Sequence, residues 1–426
     1  MDIFNKENAR KRVLIVGSGF GGIEIGRRLD SRKYEVLVLD RQNYLTFQPL
    51  LYQVATGGLE PDSVAYPLRK IFRRRQNVTF RVADVDKVEP AINSVHTSIG
   101  ILPYDILVLA TGSKTNHFGM KEIQENSLSL KTVTDALDMR SFILQNFESA
   151  LLSRDAEEKK SLMNFIVAGA GPTGVEIAGA LAELRNHVLP NDYPELDLSL
   201  MNITLVDAAD KVLNVMSEYA SRNAHKQLEQ LGIRILTGVK LERYNGKEAF
   251  LSSGEILKSK ALIWTAGVMG NGIIGLDASN YNRGNRILTD EYNKVKGSEN
   301  IFAIGDVAAI VAADGTAHPM LAPVAMQQGK QLAANLNLEE GKKWKAFRYT
   351  DRGTMATIGR SRAVADLKFT HLKGFPAWIA WLFIHLMLLV GFRNRLVVLI
   401  NWIWNYFSYD RAIRLIIRPY RKKESA

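Results

Sequence analysis

Twice in this chain a run of apolar residues ends in three glycines spaced G-x-G-x-x-G: Gly17, Gly19 and Gly22, then Gly169, Gly171 and Gly174. Residues 13–16 and 165–168, just before the glycines, suit buried parallel strands, and the residues after them pattern as helices. In such a strand–turn–helix unit the first glycine permits the tight turn, the second lets backbone N–H groups approach an anion, and the third lets helix and strand pack closely. The helix N-terminus then faces the anion, so each unit can cradle a pyrophosphate. Two such units in one chain predict an α/β fold with two Rossmann-like dinucleotide-binding domains.

Each unit continues to a second strand that ends in an acid. Asp40 closes strand 35–39, 18 residues past Gly22, near the spacing of a carboxylate that accepts from both hydroxyls of an adenosine ribose. Taken alone, the first unit reads as an NAD site. In the second, strand 203–206 ends in Asp207, 33 residues past Gly174, and residues 186–200, with Pro190 and Pro194, read as an insertion that lengthens the gap. No Arg or Lys follows Asp207 before Lys211, so a 2′-phosphate would be repelled and NADH is favoured over NADPH.

Small-residue turns repeat too. Strand 106–109 runs into Ala110-Thr111-Gly112, and strand 261–264 into Thr265-Ala266-Gly267, turns whose backbone can lie close to a bound dinucleotide. A further strand ends in Gly305-Asp306, a place for one carboxylate beside a ribitol or pyrophosphate, and a helix over 323–336 then begins with Ala325, Met326, Gln327, Gln328 and Gly329. Between these landmarks, residues 41–68 are too apolar for a surface linker and read as a cofactor-covering excursion with Phe47, Leu50 and Tyr52 packed inward. The charged stretch 154–160 reads as a loop before the second unit.

Composition removes several chemistries. With no cysteine, the chain has no disulfide, thiolate metal site, iron–sulfur cluster or redox thiol. Its seven histidines never recur at helical ligand spacing, so no metal site is expected. The net charge of +11 is local: residues 341–426 hold 17 Lys and Arg against 4 Asp and Glu, and the rest hold 38 against 40. One basic tail points to an attachment surface, not to a generally basic protein. The first residues lack a signal-like apolar core, and no export is expected.

That tail carries five of the six tryptophans: 344, 378, 381, 402 and 404. Its longest apolar run, 375–390, has 16 residues and is interrupted by His385, which is read as a packed or interfacial side chain. A transmembrane helix needs about 20. Apolar helices flanked by Trp, Arg and Lys, here also in 396–407 and RAIRLIIRPYRKK, are the pattern of a segment lying in the bilayer surface. A core or dimer helix pair and a full membrane span with snorkelling arginines are the alternatives.

The segments IVGSGFGG, NYLTFQPLLYQVATG, LATG, VAGAGPTGVEIAGALAEL, LIWTAGV, IFAIGDVA and APVAMQQG, in this order, resemble the type II NADH:quinone oxidoreductases. These single-subunit, non-pumping NADH dehydrogenases belong to the two-dinucleotide-binding flavoproteins with a glutathione-reductase-like fold. The resemblance implies FAD, tightly bound, in the first cradle, with Gly17, Gly19, Phe20, Gly21, Gly22, Asp40, Arg41, Val85, Thr111, Gly112, Gly305 and Asp306 around it. It implies NADH on Gly169, Gly171, Pro172, Thr173, Gly174, Asp207, Ala266 and Gly267, with Glu176 near the nicotinamide and Gln327 and Gln328 beside a quinone head group. On the residues alone, Glu176 reads equally as a first-turn acid favoured by the helix dipole.

These implications divide the chain into an FAD domain (1–118 and 269–340), an NADH domain (119–268) and a membrane-association region (341–426). The expected activity is oxidation of NADH by a membrane quinone, without proton pumping, at the inner face of the cytoplasmic membrane, with lipid as the partner of the tail and no nucleic acid. A homodimer is left open. Disulfide reductases and sulfide:quinone oxidoreductases are excluded by the absent cysteines; a reductase of a protein electron carrier, or a flavoprotein whose tail binds nucleic acid or a partner, remain rivals.

Overall fold

A computed structural model describes residues 10–311, 317–408, 414–417 and 419–420, and its backbone forms two compact units. The first comprises Met1–Leu45, Tyr66–Lys114 and Val268–Thr350; the second comprises Thr46–Ala65, Thr115–Gly267 and Asp351–Ala426. The excursion after Asp40 thus leaves the first unit and returns to it, and the C-terminal residues build onto the second.

The first unit is organised by a parallel sheet in the order Ile301–Ala303, Ile106–Leu109, Lys11–Val16, Tyr34–Asp40, Val78–Val82. Val13, Leu14 and Ile15 in its central strand are all fully buried, so both faces of the sheet are covered, as the continuous apolar run requires. Leu14, Val16, Leu37, Leu39, Leu107 and Leu109 pack on one face with Val88, Val95 and Leu102 of an antiparallel three-stranded meander.

The second unit repeats the plan. Its parallel sheet runs Leu128–Ser129, Ala261–Trp264, Phe165–Ala168, Ile203–Asp207, Arg234–Thr237. A second meander, Leu241–Tyr244, Glu248–Leu251 and Ile256–Lys258, covers one face, with Tyr244 fully buried. The shared order places both glycine turns at the C-terminal ends of central strands, where open α/β sheets bind ligands.

Two sequence expectations change here. Residues 154–160 are a loop only as far as Asp155: Ala156–Met163 is a helix, with Asp155 capping it by accepting from Glu157 N and with Glu157 and Glu158 in its first turn. Charge there marks a capped, solvated helix. The tail also holds a sheet that its composition did not reveal, Thr354–Gly359, Arg362–Leu367 and Thr370–Lys373, all antiparallel. This sheet packs on the helix Pro172–Glu183, where a Cβ at Gly179 would lie 1.8 Å from Ile358 O.

Two helices follow. Gly374–Leu388 rests on the sheet through Ala377 against Ala363 and Ala365. Phe392–Ser408 turns a polar stripe inward: Asn394 Nδ2 donates to the carbonyls of Asp62, Ser63 and Ala65, Asn401 Nδ2 to Glu60, Trp402 Nε1 to Gln53 Oε1 and Asn405 Nδ2 to Gly58 O. Positions 394, 401, 402 and 405 lie on one helix face. Apolar side chains on the two helices point out, with Phe383 64%, Trp404 61% and Phe407 78% exposed. Among the described residues no helix is long and apolar enough to cross a membrane. Of RAIRLIIRPYRKK, only residues 414–417 and 419–420 are described.

Candidate functional site

In the first unit, Gly17 adopts φ +100°, and a Cβ on it would lie 2.2 Å from Ala110 O. At Gly19 a Cβ would meet nothing within 4 Å. The turn is therefore closed on the protein side and open on the other, as a pyrophosphate site must be. The helix Phe20–Arg28, which carries Gly21 and Gly22, starts there with no side-chain cap, so its N-terminus can serve an anion.

Asp40 fastens this cradle. Its Oδ2 accepts from both the N–H and the hydroxyl of Ser18, each at 2.7 Å, and its Oδ1 accepts from Gln42 N at 2.9 Å. Nearby, Arg41 pairs with Asp84 at 2.8 Å, and Val85 packs against the core cluster of the sheet. Thr111 Oγ1 donates to Asn271 O at 2.6 Å, and Gly112, at φ +70°, faces open space. Asp306 accepts from Ser113 Oγ at 2.5 Å, while Gly305 N donates to Gln328 Oε1 at 2.7 Å.

The second unit builds the same device. A Cβ on Gly169 would lie 2.6 Å from Ala266 Cα, whereas Gly171 faces open space and Pro172 opens the uncapped helix Pro172–Glu183. Thr173 is exposed on its first turn, and Gly174 packs tightly on the carbonyl of Gly169. Asp207 accepts from Ala170 N through Oδ2 and from Ala209 N, at 2.8 Å, through Oδ1. Lys211, the first cation after it, is paired with Glu218 at 3.1 Å. Gly267 lies under Phe118, whose ring would meet a Cβ there at 2.6 Å.

Glu176 is the fifth residue of its helix, not a first-turn acid, and it is 8% exposed. Burial raises its carboxyl well above the ordinary range; the Thr357 backbone N–H and the Trp381 side chain oppose this without cancelling it. The acid faces a cavity of ≈ 110 Å³ contained in the second unit. Tyr52, Trp378, Trp381, Trp402 and Tyr406 wall it with aromatic rings, and Gln53, Thr357, Glu183 and Arg360 add polar groups. Trp381 stacks on His385 with ring centroids 4.1 Å apart, and Arg360 lies 4.2 Å from the Tyr406 ring centre. The upward shift favours the neutral carboxyl, which can donate to a carbonyl, and the aromatic walls can stack a flat ring.

The structure gathers the expected residues into two groups. The flavin set, with Gln327 and Gln328, lies in the first unit; Glu176 and the NADH set lie in the second. Both amide atoms of Gln327 are engaged by the Thr350 backbone at 3.0 Å, and Gln328 is 1% exposed with its oxygen on Gly305 N. The aromatic cavity was not found from sequence, because its walls come from residues 52–58, 176–183, 357–360, 378–382 and 402–406. The available signal was the spacing of Glu176, Ala180 and Glu183, one face of a helix, together with the clustered tail tryptophans.

Residues 11–329 match the pyridine nucleotide-disulphide oxidoreductase family, and residues 352–409 match the NDH2 C-terminal domain. Fold and paired cradles thus define a flavin-dependent pyridine-nucleotide oxidoreductase, here without the cysteines that disulphide chemistry would use. A type II NADH:quinone oxidoreductase of Mycobacterium tuberculosis is 33% identical over 95% of this chain and 89% of its own length, and an internal alternative NAD(P)H-ubiquinone oxidoreductase of Arabidopsis thaliana is 30% identical over 96% and 87%. The chain belongs to the type II NADH:quinone oxidoreductases. Its fold also superposes on NDH2 of Plasmodium falciparum, solved with NADH, with a TM-score of 0.87 over 96% of this chain and all of that one, at 21% identity.

Proposed function

We propose that this chain oxidises NADH and reduces a membrane quinone to quinol, without pumping protons, while lying on the inner face of the cytoplasmic membrane. When bound, FAD supplies the chemistry that neither substrate can do alone, taking two electrons from NADH and giving them to the quinone. Gly17, Gly19, the Phe20–Arg28 N-terminus and Asp40 hold its pyrophosphate and ribose; Gly169, Gly171 and Asp207 do the same for NADH. Glu176 keeps a proton at a buried carboxyl, and the aromatic cavity beside it takes the quinone ring.

The observation that carries this reading is the placement of that cavity beneath two helices whose outer faces are apolar. A quinone dissolved in lipid reaches such a cavity without crossing water. Exposed Phe, Trp, Leu and Ile side chains, interleaved with basic residues, also favour lipid over nucleic acid as the partner of the tail. The test is spectroscopic. Purified in detergent, the protein should show a flavin spectrum that NADH bleaches faster than NADPH and that a quinone restores; failure to bleach with either nucleotide would end the assignment.

A further inference from the structure

We infer that Glu183 is the solvent-side station of a proton path that crosses the aromatic cavity to Glu176 and the quinone; this rests on the placement of the quinone ring in that cavity. The balance of the reaction requires an inlet. NADH, one proton and a quinone give NAD⁺ and a quinol: the nicotinamide C–H bond breaks, two electrons pass through the flavin, and two O–H bonds form. One proton per turnover must come from water. A buried Glu176 can hand over the proton it holds, but it must then be reloaded from somewhere it can reach.

Glu176, Ala180 and Glu183 all line the cavity from one helix, at i, i+4 and i+7. Seven residues of helix rise about 10 Å, too far for direct transfer and a distance that a few hydrogen-bonded waters span. Ala180 between the two acids contributes only a methyl group. The cavity's ≈ 110 Å³ exceeds the space one water needs several times over. Glu183 is partly exposed where Glu176 is buried, so the pair leads from solvent inward.

The position of Glu183 is fixed from the tail sheet. Arg360 N donates to its Oε1, and the Arg360 guanidinium lies against Tyr406. The other titratable groups around the cavity are Tyr52 from the excursion, Arg360 from the sheet turn and Tyr406 from the last helix, with His385 behind Trp381 on the helix between. Glu176 and Glu183 are the two carboxyl groups that line the cavity.

The test compares E183Q and E176Q holoenzymes in detergent, using a short-chain quinone and then ferricyanide, which takes electrons but no proton. The amide introduced by E183Q keeps an oxygen for Arg360 N and removes the ionisable carboxyl. For E183Q the ratio of quinone to ferricyanide turnover should fall on the order of 10-fold, and the surviving quinone rate should rise as pH is lowered. Equal loss with both acceptors, or a wild-type ratio in E183Q beside a lowered ratio in E176Q, overturns the inlet. A wild-type ratio in both variants overturns the quinone placement itself.

Discussion

Asp40 and Ser18 are joined twice, by the N–H and by the hydroxyl of Ser18 on a single carboxylate oxygen, each at 2.7 Å. The second unit joins Asp207 to the N–H of Ala170, the corresponding residue of its glycine turn. In both halves the acid at the strand end therefore shapes the cradle, beside the ribose role proposed for it. Replacing Asp40 by Ala removes both roles, and hydrogen bonds to a charged group are worth about 1.5–3 kcal/mol each. D40A should purify with at least roughly 10-fold less flavin per polypeptide after dialysis, as read from the visible spectrum.

On the proposed function, Asp207 sets the choice of nucleotide. D207A should raise the KM for NADH by about 10-fold and narrow the gap to NADPH, because the repulsion of a 2′-phosphate goes with the carboxylate. Steady-state kinetics with both nucleotides would show this; an unchanged preference would remove Asp207 from the ribose site.

Attachment to lipid should depend on outward side chains alone. Truncating the tail would be a poor test, since the helix Pro172–Glu183 would lose the sheet packed against Gly179. The triple variant F383S/W404S/F407S instead changes exposed positions. With about 1.5–3 kcal/mol for each large apolar side chain, it should leave anionic vesicles at least roughly 100-fold more readily in sedimentation. Undiminished binding would refute attachment through these faces.

His385 gives the second unit a pH response. Its Nδ1 lies 2.8 Å from Trp381 O and its ring stacks on Trp381, and burial pushes its pKa down to about 4. A histidine depressed on folding stabilises fully above its unfolded pKa of about 6.5. As pH falls from there through 4 the unfolded chain binds the proton first, and that stability is lost. Melting temperature should drop across this window, and H385F should flatten the drop; an identical slope in the variant would place the titration elsewhere.

Asn394 pins the excursion. Its amide nitrogen serves the carbonyls of Asp62, Ser63 and Ala65, at 3.0, 3.3 and 3.1 Å. N394A leaves those acceptors short of a donor at a cost of about 1–3 kcal/mol. Limited proteolysis should cut residues 46–65 faster in N394A, ahead of any cut in the nucleotide cradles.

Both cradles were legible because glycine spacing and a terminal acid are local signals, written within about 40 residues of each other. Phe47, Leu50 and Tyr52 are buried as their apolarity required. The aromatic cavity was not legible, since five separated segments meet to form it. Nor could sequence show that Gln327 has both amide atoms taken by the Thr350 backbone. The tail sheet was hidden because its short strands sit in a stretch whose basic and aromatic residues also suit an interfacial helix.

The inward asparagines of Phe392–Ser408 also order events during synthesis. Asn394 grips Asp62 from 332 positions away, so the excursion lacks this anchor until the helix Phe392–Ser408 has been made. Contacts of such long sequence separation form late. The outward apolar face is thus displayed in its docked form only after both nucleotide cradles have been synthesised, and on the proposed attachment the bilayer would receive them together.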